Sequence, residues 1–216
     1  MANVGQPCLE ITGTSQPLRT TLLEPIVVSM SRLDRGGNIF CLESFWHKRL
    51  DGDRLSVRPL LELLNTSRGT KFIHLTCNTV EELKFNLKHH RRYRSYGVLY
   101  LAFHGVRGRL LLADGSSLRI EELTQIARGS LDGCLVHFGS CWTALAEDQM
   151  YEFLDVTGAG LATGYTKSVD WIDSAAMDLL ILSWAGEYSN GKSLVDKLYD
   201  TYAGLAEATG LTAVQL

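Results

Sequence analysis

Two apolar segments, GVLYLAFHG (residues 97–105) and GCLVHFGSC (residues 133–141), decide the fold that we predict for this chain. Both are nearly continuous in apolar residues, a pattern typical of parallel strands that helices cover on both faces. Both also end in a side chain that can do chemistry, His104 in the first segment and Cys141 in the second. We therefore predict two buried strands with potentially reactive residues at their carboxyl ends.

Other segments of the chain alternate between strand-like and helix-like patterns. Strand-like runs are NIFCLE (38–43), KFIHLTC (71–77) and GLATGYT (160–166), and helical spacing occurs over 57–66, 80–92, 143–158, 174–188 and 193–208. We expect Asn78 or Thr79 to cap the second helix. Strands that alternate with helices imply crossover connections, so the predicted class is α/β, a three-layer α/β/α sandwich with a mostly parallel central sheet.

The size and composition of the chain fit one ordinary domain. It has 216 residues, 45% of them hydrophobic and 21% charged, which suffices for a real core. The first residues are rich in Thr, Ser, Gln and Pro, so we predict a peripheral N-terminal segment over residues 1–24. Residues 25–216 are predicted to form a single domain.

Charge and cysteine content predict a cytoplasmic protein that binds neither nucleic acid nor membrane. The net charge is −3, and KHHRRYR (88–94) falls at the end of a predicted helix, where cations are solvated and favoured. No apolar run reaches the roughly 18 residues that cross a bilayer, and no signal-peptide pattern begins the chain. The five cysteines have no paired spacing and are expected to be free thiols, Cys41, Cys77 and Cys134 in the core. The sequence contains no CxxC or HExxH pattern, so we do not expect a zinc site.

His104 and Cys141 together predict nucleophilic catalysis. Ligands of parallel α/β sheets gather at the carboxyl ends of strands, where both residues are expected. A cysteine thiolate attacks carbonyl carbon once an imidazole accepts its proton, and a helix that begins just after Cys141 would favour the thiolate. The backbone amides of Gly105 and Cys141 are candidate oxyanion donors. GSCWT (139–143) also partly matches a hydrolase nucleophile elbow, but no histidine follows Cys141, as those folds require.

Three motifs in order carry a resemblance to a known family. His104-Gly105 closes one strand, LLADG (111–115) follows with Leu118 and Glu121-Glu122-Leu123, and SCWTA (140–144) closes the next strand. This arrangement resembles the CHAT family of caspase-like cysteine peptidases. The stretch from Tyr96 to Ala146 carries the specific motifs, and residues 26–188 follow the family's element order.

The resemblance implies a caspase-like fold and a role for each matching residue. His104 would be the general base and acid, Cys141 the nucleophile and Gly105 an oxyanion donor. Asp170 would lie beside the pocket for the residue before the cut and favour Arg or Lys there; it could instead cap the following helix. Trp142, where the family usually has a small residue or an acid, would wall or block the substrate site. Gly139 lies two residues before the cysteine, where many caspase-like proteins have an acidic residue, so that pocket acid is missing here.

The function expected at this point is a cysteine endopeptidase that cleaves a protein or peptide substrate through a His–Cys dyad and an acyl-enzyme, without metal or organic cofactor. The resemblance also implies a bacterial protein with a stress or defence role, restrained by a regulatory protein partner or by its own segments. Two alternatives stay open. One is a catalytically silent interaction module with Trp142 in the groove, and the other is a hydrolase of small thioesters or amides with a closed pocket.

Overall fold

The fold is built on a six-stranded sheet in the order β2-β1-β3-β7-β8-β9. A computed structural model describes residues 32–47, 55–143 and 147–215. The central strands are β1 (Ile39–Glu43), β2 (Phe72–Thr76), β3 (Val98–Ala102), β7 (Leu135–Phe138), β8 (Leu161–Tyr165) and β9 (Leu211–Gln215). All neighbouring strands pair in parallel except β9, which runs antiparallel to β8. A second, antiparallel sheet consists of β4 (His104–Val106), β5 (Arg109–Leu111) and β6 (Ser117–Arg119).

Helices cover the two faces of the large sheet. One face packs against α2 (Val80–His90), α3 (Ile120–Ile126) and α4 (Glu147–Thr157), and the other against α1 (Arg58–Arg68), α5 (Trp171–Trp184) and α6 (Gly191–Thr209). β1, β3, β7 and β8 are buried along their whole length, as helices on both faces require. The three-layer α/β/α prediction is confirmed. No helix among the described residues is both long and apolar enough to cross a membrane.

Most predicted elements match the structure, and local chemistry accounts for their ends. Thr79, not Asn78, caps α2: its hydroxyl accepts from the Glu82 amide while the Glu82 carboxylate accepts from the Thr79 amide. Pro59 opens α1, and Gly69 ends it in the left-handed conformation. Asp114 and Gly115 form the turn between β5 and β6, where Gly115 has a φ of 90°.

Two features differ from the predictions. Strand β9 was not predicted, because a short segment after a helix-ending glycine becomes a strand only by pairing with the distant β8. The helix expected immediately after Cys141 does not begin there: Cys141 lies in a turn, and the described part of α4 starts at Glu147. The predicted N-terminal segment, residues 1–24, lies outside the described residues.

The basic segment 88–94 also differs in one respect, because His90 is fully buried rather than solvated. Its Nε2–H donates to the carbonyl of Tyr96 at 3.0 Å, its ring lies edge-on to Phe40, and its Nδ1 has no partner among the described residues. Burial, aided by the nearby Arg35 charge, lowers the pKa of His90 to about 4. The folded protein therefore holds this imidazole neutral.

We predict that His90 makes stability fall as the pH drops from 6.5 to 4. In that window His90 is protonated in the unfolded chain but stays neutral in the folded protein. The free energy of unfolding therefore decreases by about 2 kcal/mol between pH 7 and pH 5. His90→Phe should flatten this dependence in urea unfolding measured at both pH values. His89→Gln, which removes the neighbouring imidazole, is the matched control, and an unchanged pH slope in His90→Phe would contradict the assignment.

Candidate active site

The sheet topology brings His104 and Cys141 to one edge. β3 and β7 are paired neighbours, from Val98 opposite Leu135 to Leu101 opposite Phe138. His104 follows β3 by one residue as the start of β4, and Cys141 lies three residues beyond the end of β7. Both side chains line the same cavity of about 240 Å³, which we call the cysteine-side cavity.

Ser140 ties the ends of the two strands together. Its buried hydroxyl accepts from the amide of Phe103 at 3.2 Å and lies 3.4 Å from the carbonyl of Leu101. The amide of Gly139 donates to the same Leu101 carbonyl at 3.0 Å and so extends the ladder beyond β7. The residues before His104 and Cys141 are therefore bonded directly to each other.

Gly105 allows the closest approach between the two segments. A Cβ on Gly105 would lie 2.0 Å from the carbonyl oxygen of Cys141 and 2.9 Å from the side chain of Thr143. Since no real Cβ tolerates such a contact, any other residue would push β4 away from the cysteine turn. The glycine after the histidine thus has a packing reason that is independent of any oxyanion role.

His104 is held in one tautomer. Its Nε2 lies 2.7 Å from the carbonyl oxygen of Trp46, and the Trp46 ring packs edge-on to the imidazole with centroids 5.0 Å apart. A carbonyl oxygen can only accept, so Nε2 carries the hydrogen. In the neutral ring Nδ1 then has a free lone pair, which is the requirement for a general base.

The buried carboxylate of Glu43 in turn holds Trp46. Four donors reach its two oxygens: Trp46 Nε1, Ser56 Oγ and His74 Nε2, each at 2.6 Å, and the Val57 amide at 2.8 Å. Burial would raise the pKa of Glu43, but these hydrogen bonds outweigh it and hold the pKa below its usual value. The end of β1 therefore positions the carbonyl that orients His104.

Cys141 is partly exposed, whereas Cys41, Cys77 and Cys134 are buried as predicted. The amide of Val169 lies 3.4 Å from Cys141 Sγ and donates to it. Sγ also lies 4.0 Å from the carbonyl oxygen of Val169. The backbone of Val169 therefore contacts the sulfur through both its amide and its carbonyl.

Trp142 lies outside the cavity, in a turn held from two sides. Its φ is 57°, a left-handed conformation that is costly for a bulky residue. Its amide donates to the carbonyl of Lys167, and its carbonyl accepts from the amide of Gly108, both at 3.3 Å. The indole is 38% exposed, beneath the guanidinium of Arg107 at 5.8 Å from the ring centroid. It neither lines nor blocks the cysteine-side cavity.

Asp170 is the N-cap of α5. Its carboxylate accepts from the amides of Ile172 at 2.8 Å and Asp173 at 3.4 Å. The neighbours Val169 and Trp171 line the cysteine-side cavity, but Asp170 is not among its lining residues. Of the two roles considered for this aspartate, the geometry supports the cap.

A second cavity, of about 270 Å³, lies on the other side of His104, and we call it the hairpin-side cavity. Its lining includes Phe45, Trp46, His104, Leu111, Leu112 and Ala113. The two cavities share Trp46, His47 and His104, while Cys141 belongs to the first alone. The imidazole thus stands between two largely apolar recesses. Among the described residues, no group of three or more His, Cys, Asp or Glu side chains could hold a metal ion.

Beneath the cysteine-side cavity lies a second buried carboxylate, Asp178 of α5. It accepts from the Tyr100 hydroxyl at 2.5 Å, from His137 Nε2 at 2.6 Å and from the Tyr165 hydroxyl. His137 also contacts the Thr163 hydroxyl at 2.8 Å, so both of its ring nitrogens have buried partners. Asp178 Oδ2 would lie 3.1 Å from a Cβ on Gly139. An acid therefore does occur beside position 139, contributed by α5.

Comparison with known families identifies the family to which the chain belongs. A model described as a family of unknown function (DUF6642) matches residues 36–212. The chain belongs to this family. No curated protein matches the sequence.

The family match corrects the resemblance inferred from the motifs. The matched family is neither the CHAT family nor another caspase-like family, so that assignment is wrong. The motifs cover strand ends and one turn, and any parallel α/β sheet with a hairpin between two strands can produce such short segments. The bacterial origin and the stress or defence role, which the resemblance implied, lose that support with it.

Sequence reasoning missed three residues that position the site: Glu43, Trp46 and Asp178. Glu43 carried a usable signal, because a charged residue that ends a wholly apolar strand needs buried partners. Asp178 carried a similar one, since it lies among Met177, Leu179 and Leu180 in an otherwise apolar helix. Their donors, however, come from distant segments that no local pattern identifies.

We predict that Ser140→Ala separates the two strand ends. The buried amide of Phe103 loses its acceptor, which should cost about 1–3 kcal/mol in the free energy of unfolding. Urea unfolding measures that loss. The rate of alkylation at Cys141 reports the accompanying movement of the turn.

Ser183→Ala is the matched control, because that hydroxyl bonds only to Leu180 in its own helix. It should change stability by less than about 1 kcal/mol and leave alkylation of Cys141 as in the wild type. Equal effects of the two substitutions would show that Ser140 has no special role in joining the strands.

Proposed function

We propose that the protein is a cysteine endopeptidase in which Cys141 is the nucleophile and His104 the general base and acid. The observation that carries the proposal is the orientation of His104. Its Nε2–H is bonded to Trp46, its Nδ1 lone pair is free, and its ring lines the cavity that holds Cys141. A fixed imidazole beside a partly exposed thiol is the arrangement that activates cysteine.

The reaction follows in balanced steps. Nδ1 of His104 takes the thiol proton, and the Cys141 thiolate forms a C–S bond with the substrate carbonyl. The backbone amides of Gly105 and Cys141 would bind the oxyanion. Collapse of this intermediate breaks the C–N bond, and His104 gives its proton to the leaving amine. Water then attacks the thioester, His104 takes its proton, and the acid is released with the thiolate restored.

A peptide fits this site better than a small thioester or amide. The two cavities flank His104, so a substrate can extend on both sides of the bond that is cut. A hydrolase for small molecules needs one enclosed recess around the reacting carbon. Two recesses that meet at the catalytic base suit a chain passing over it.

The free cysteines support a cytoplasmic setting for this activity. The four described cysteines are free, and free thiols persist in a reducing compartment. Because a peptidase in that compartment meets many proteins, we include a regulatory protein partner in the proposal. A substrate preference for Arg or Lys would require Asp170 beside Cys141, and Asp170 instead caps α5.

We predict that a peptidyl acyloxymethyl ketone labels Cys141 and that the labelling depends on His104. The experiment uses the full chain with Cys8→Ser, follows intact mass over time and locates the adduct by peptide mapping. Cys141→Ala should abolish the adduct. His104→Ala should slow it by about 10²-fold or more, the usual contribution of a general base. Thermal unfolding shows whether each variant is folded.

Labelling of Cys141 at the same rate without His104 would contradict the dyad. The catalytically silent interaction module would then be the better account of this fold.

The buried thiols provide an internal control in the same spectra. Burial raises the pKa of Cys77 and of Cys134 to about 11, and only thiolate reacts with alkylating agents. We therefore expect iodoacetamide at pH 7.5 to modify Cys141 and to leave Cys77 and Cys134 unmodified in the folded protein. Modification of all three at similar rates would show that Cys141 has no distinct reactivity.

A further inference from the structure

The cysteine-side cavity has largely apolar walls. Trp46 and Trp171 meet edge-on with ring centroids 4.9 Å apart, and Leu55, Phe103 and Val169 complete the apolar lining. The two hydroxyls on its surface are already engaged. Ser174 Oγ donates to the Trp171 carbonyl at 3.0 Å, and the Tyr165 hydroxyl donates to Asp178. A ligand in this cavity therefore meets mainly hydrocarbon and indole surface.

The position of the dyad decides which part of a substrate enters each cavity. The acyl part of the substrate stays bonded to Cys141, which lines only the cysteine-side cavity. The amine leaves with a proton from His104, which also lines the hairpin-side cavity. The cysteine-side cavity thus receives the side chain of the residue whose carbonyl is attacked, and the hairpin-side cavity lies on the leaving side.

Among the described residues that line the cavity, none carries a carboxylate. Asp170 caps α5 outside the cavity, and Asp178 lies behind Gly139 with three donors already bound. The adjoining recess that Asp178 lines, beside Gly139 and Ser174, is about 10 Å³, which is room for one water molecule rather than for a guanidinium group. An Arg or Lys side chain in the cysteine-side cavity would lose its hydration without gaining a carboxylate partner from the described lining.

We infer that the cysteine-side cavity is a specificity pocket for a bulky apolar residue immediately before the cleaved bond. The inference rests on the proposed function, because it needs a substrate carbonyl at Cys141. The volume suits Leu, Met or Phe, and the walls stabilise such a side chain by burying its apolar surface. The preferred substrates are then protein segments with an apolar residue at that position.

The test compares four acyloxymethyl ketone probes that differ only in the residue next to the reactive group: Leu, Phe, Arg or Asp. The second-order rate of adduct formation at Cys141 is measured for each probe. Leu and Phe should react at least about tenfold faster than Arg and Asp, the discrimination that a few buried methylenes provide. An Arg or Asp probe that reacts as fast as Leu overturns the inference.

A variant pair tests the location of the pocket. Ser174→Asp adds a carboxylate to the lining and should shift the ratio of Arg to Leu labelling rates by at least about tenfold in favour of Arg. Ile172→Asp adds the same charge to the same end of α5, at a residue that is 69% exposed and outside the lining, and should leave the ratio unchanged. Ser174→Leu narrows the pocket and should slow the Phe probe more than an Ala probe.

The possible results separate this inference from the proposed function. Labelling of Cys141 that depends on His104 but not on the probe residue overturns the pocket and leaves the peptidase intact. Equal shifts in Ser174→Asp and Ile172→Asp place the selective contact elsewhere and also overturn it. A Cys141 that reacts with iodoacetamide but with none of the four probes overturns both.

Discussion

The parallel pairing of β3 with β7 is the constraint on which the site depends. The two strands are buried along their whole length and are in register from Val98 with Leu135 to Leu101 with Phe138. A slip of one residue would move every side chain to the opposite face of the sheet, which two packed helical layers forbid. This register fixes where both strands end, and Ser140 extends it by the bond to Phe103. The distance between His104 and Cys141 is therefore set by the core.

Two buried carboxylates transmit this order to the walls of the site. Glu43, at the end of β1, accepts four hydrogen bonds and holds Trp46, which orients His104. Asp178 joins Tyr100 of β3, His137 of β7 and Tyr165 of β8 to α5. The first turn of the same helix supplies Trp171 and Ser174 to the cavity. A buried carboxylate that is fully hydrogen-bonded adds little net stability, yet it strongly penalises any arrangement that leaves it unpaired. Each carboxylate thereby makes one arrangement of the residues around the site much more stable than any other.

Periodicity predicted the layers because those patterns follow from burial alone. The strands around residues 97–105 and 133–141 and the helices predicted elsewhere in the chain required no knowledge of distant contacts, and the carboxyl-end rule placed His104 and Cys141 at one edge. Pairwise chemistry across the fold was beyond this reasoning. The burial of His90 and the donors around Glu43 each depend on where another segment of the chain comes to lie. The capping role of Asp170 is local, by contrast, and was one of the two roles predicted for it. The family assignment failed for a related reason, since short motifs at strand ends reflect the fold class more than descent.

The turn that follows β7 contains the one non-glycine residue with a positive φ among the described residues. Trp142 adopts a left-handed conformation that glycine would adopt without strain. Such a conformation persists only where the surroundings fix the backbone on every side, and here Ser140, Lys167 and Gly108 do so. These bonds hold Sγ at the Val169 amide and within the cavity that His104 lines, which is the position that the proposed reaction requires.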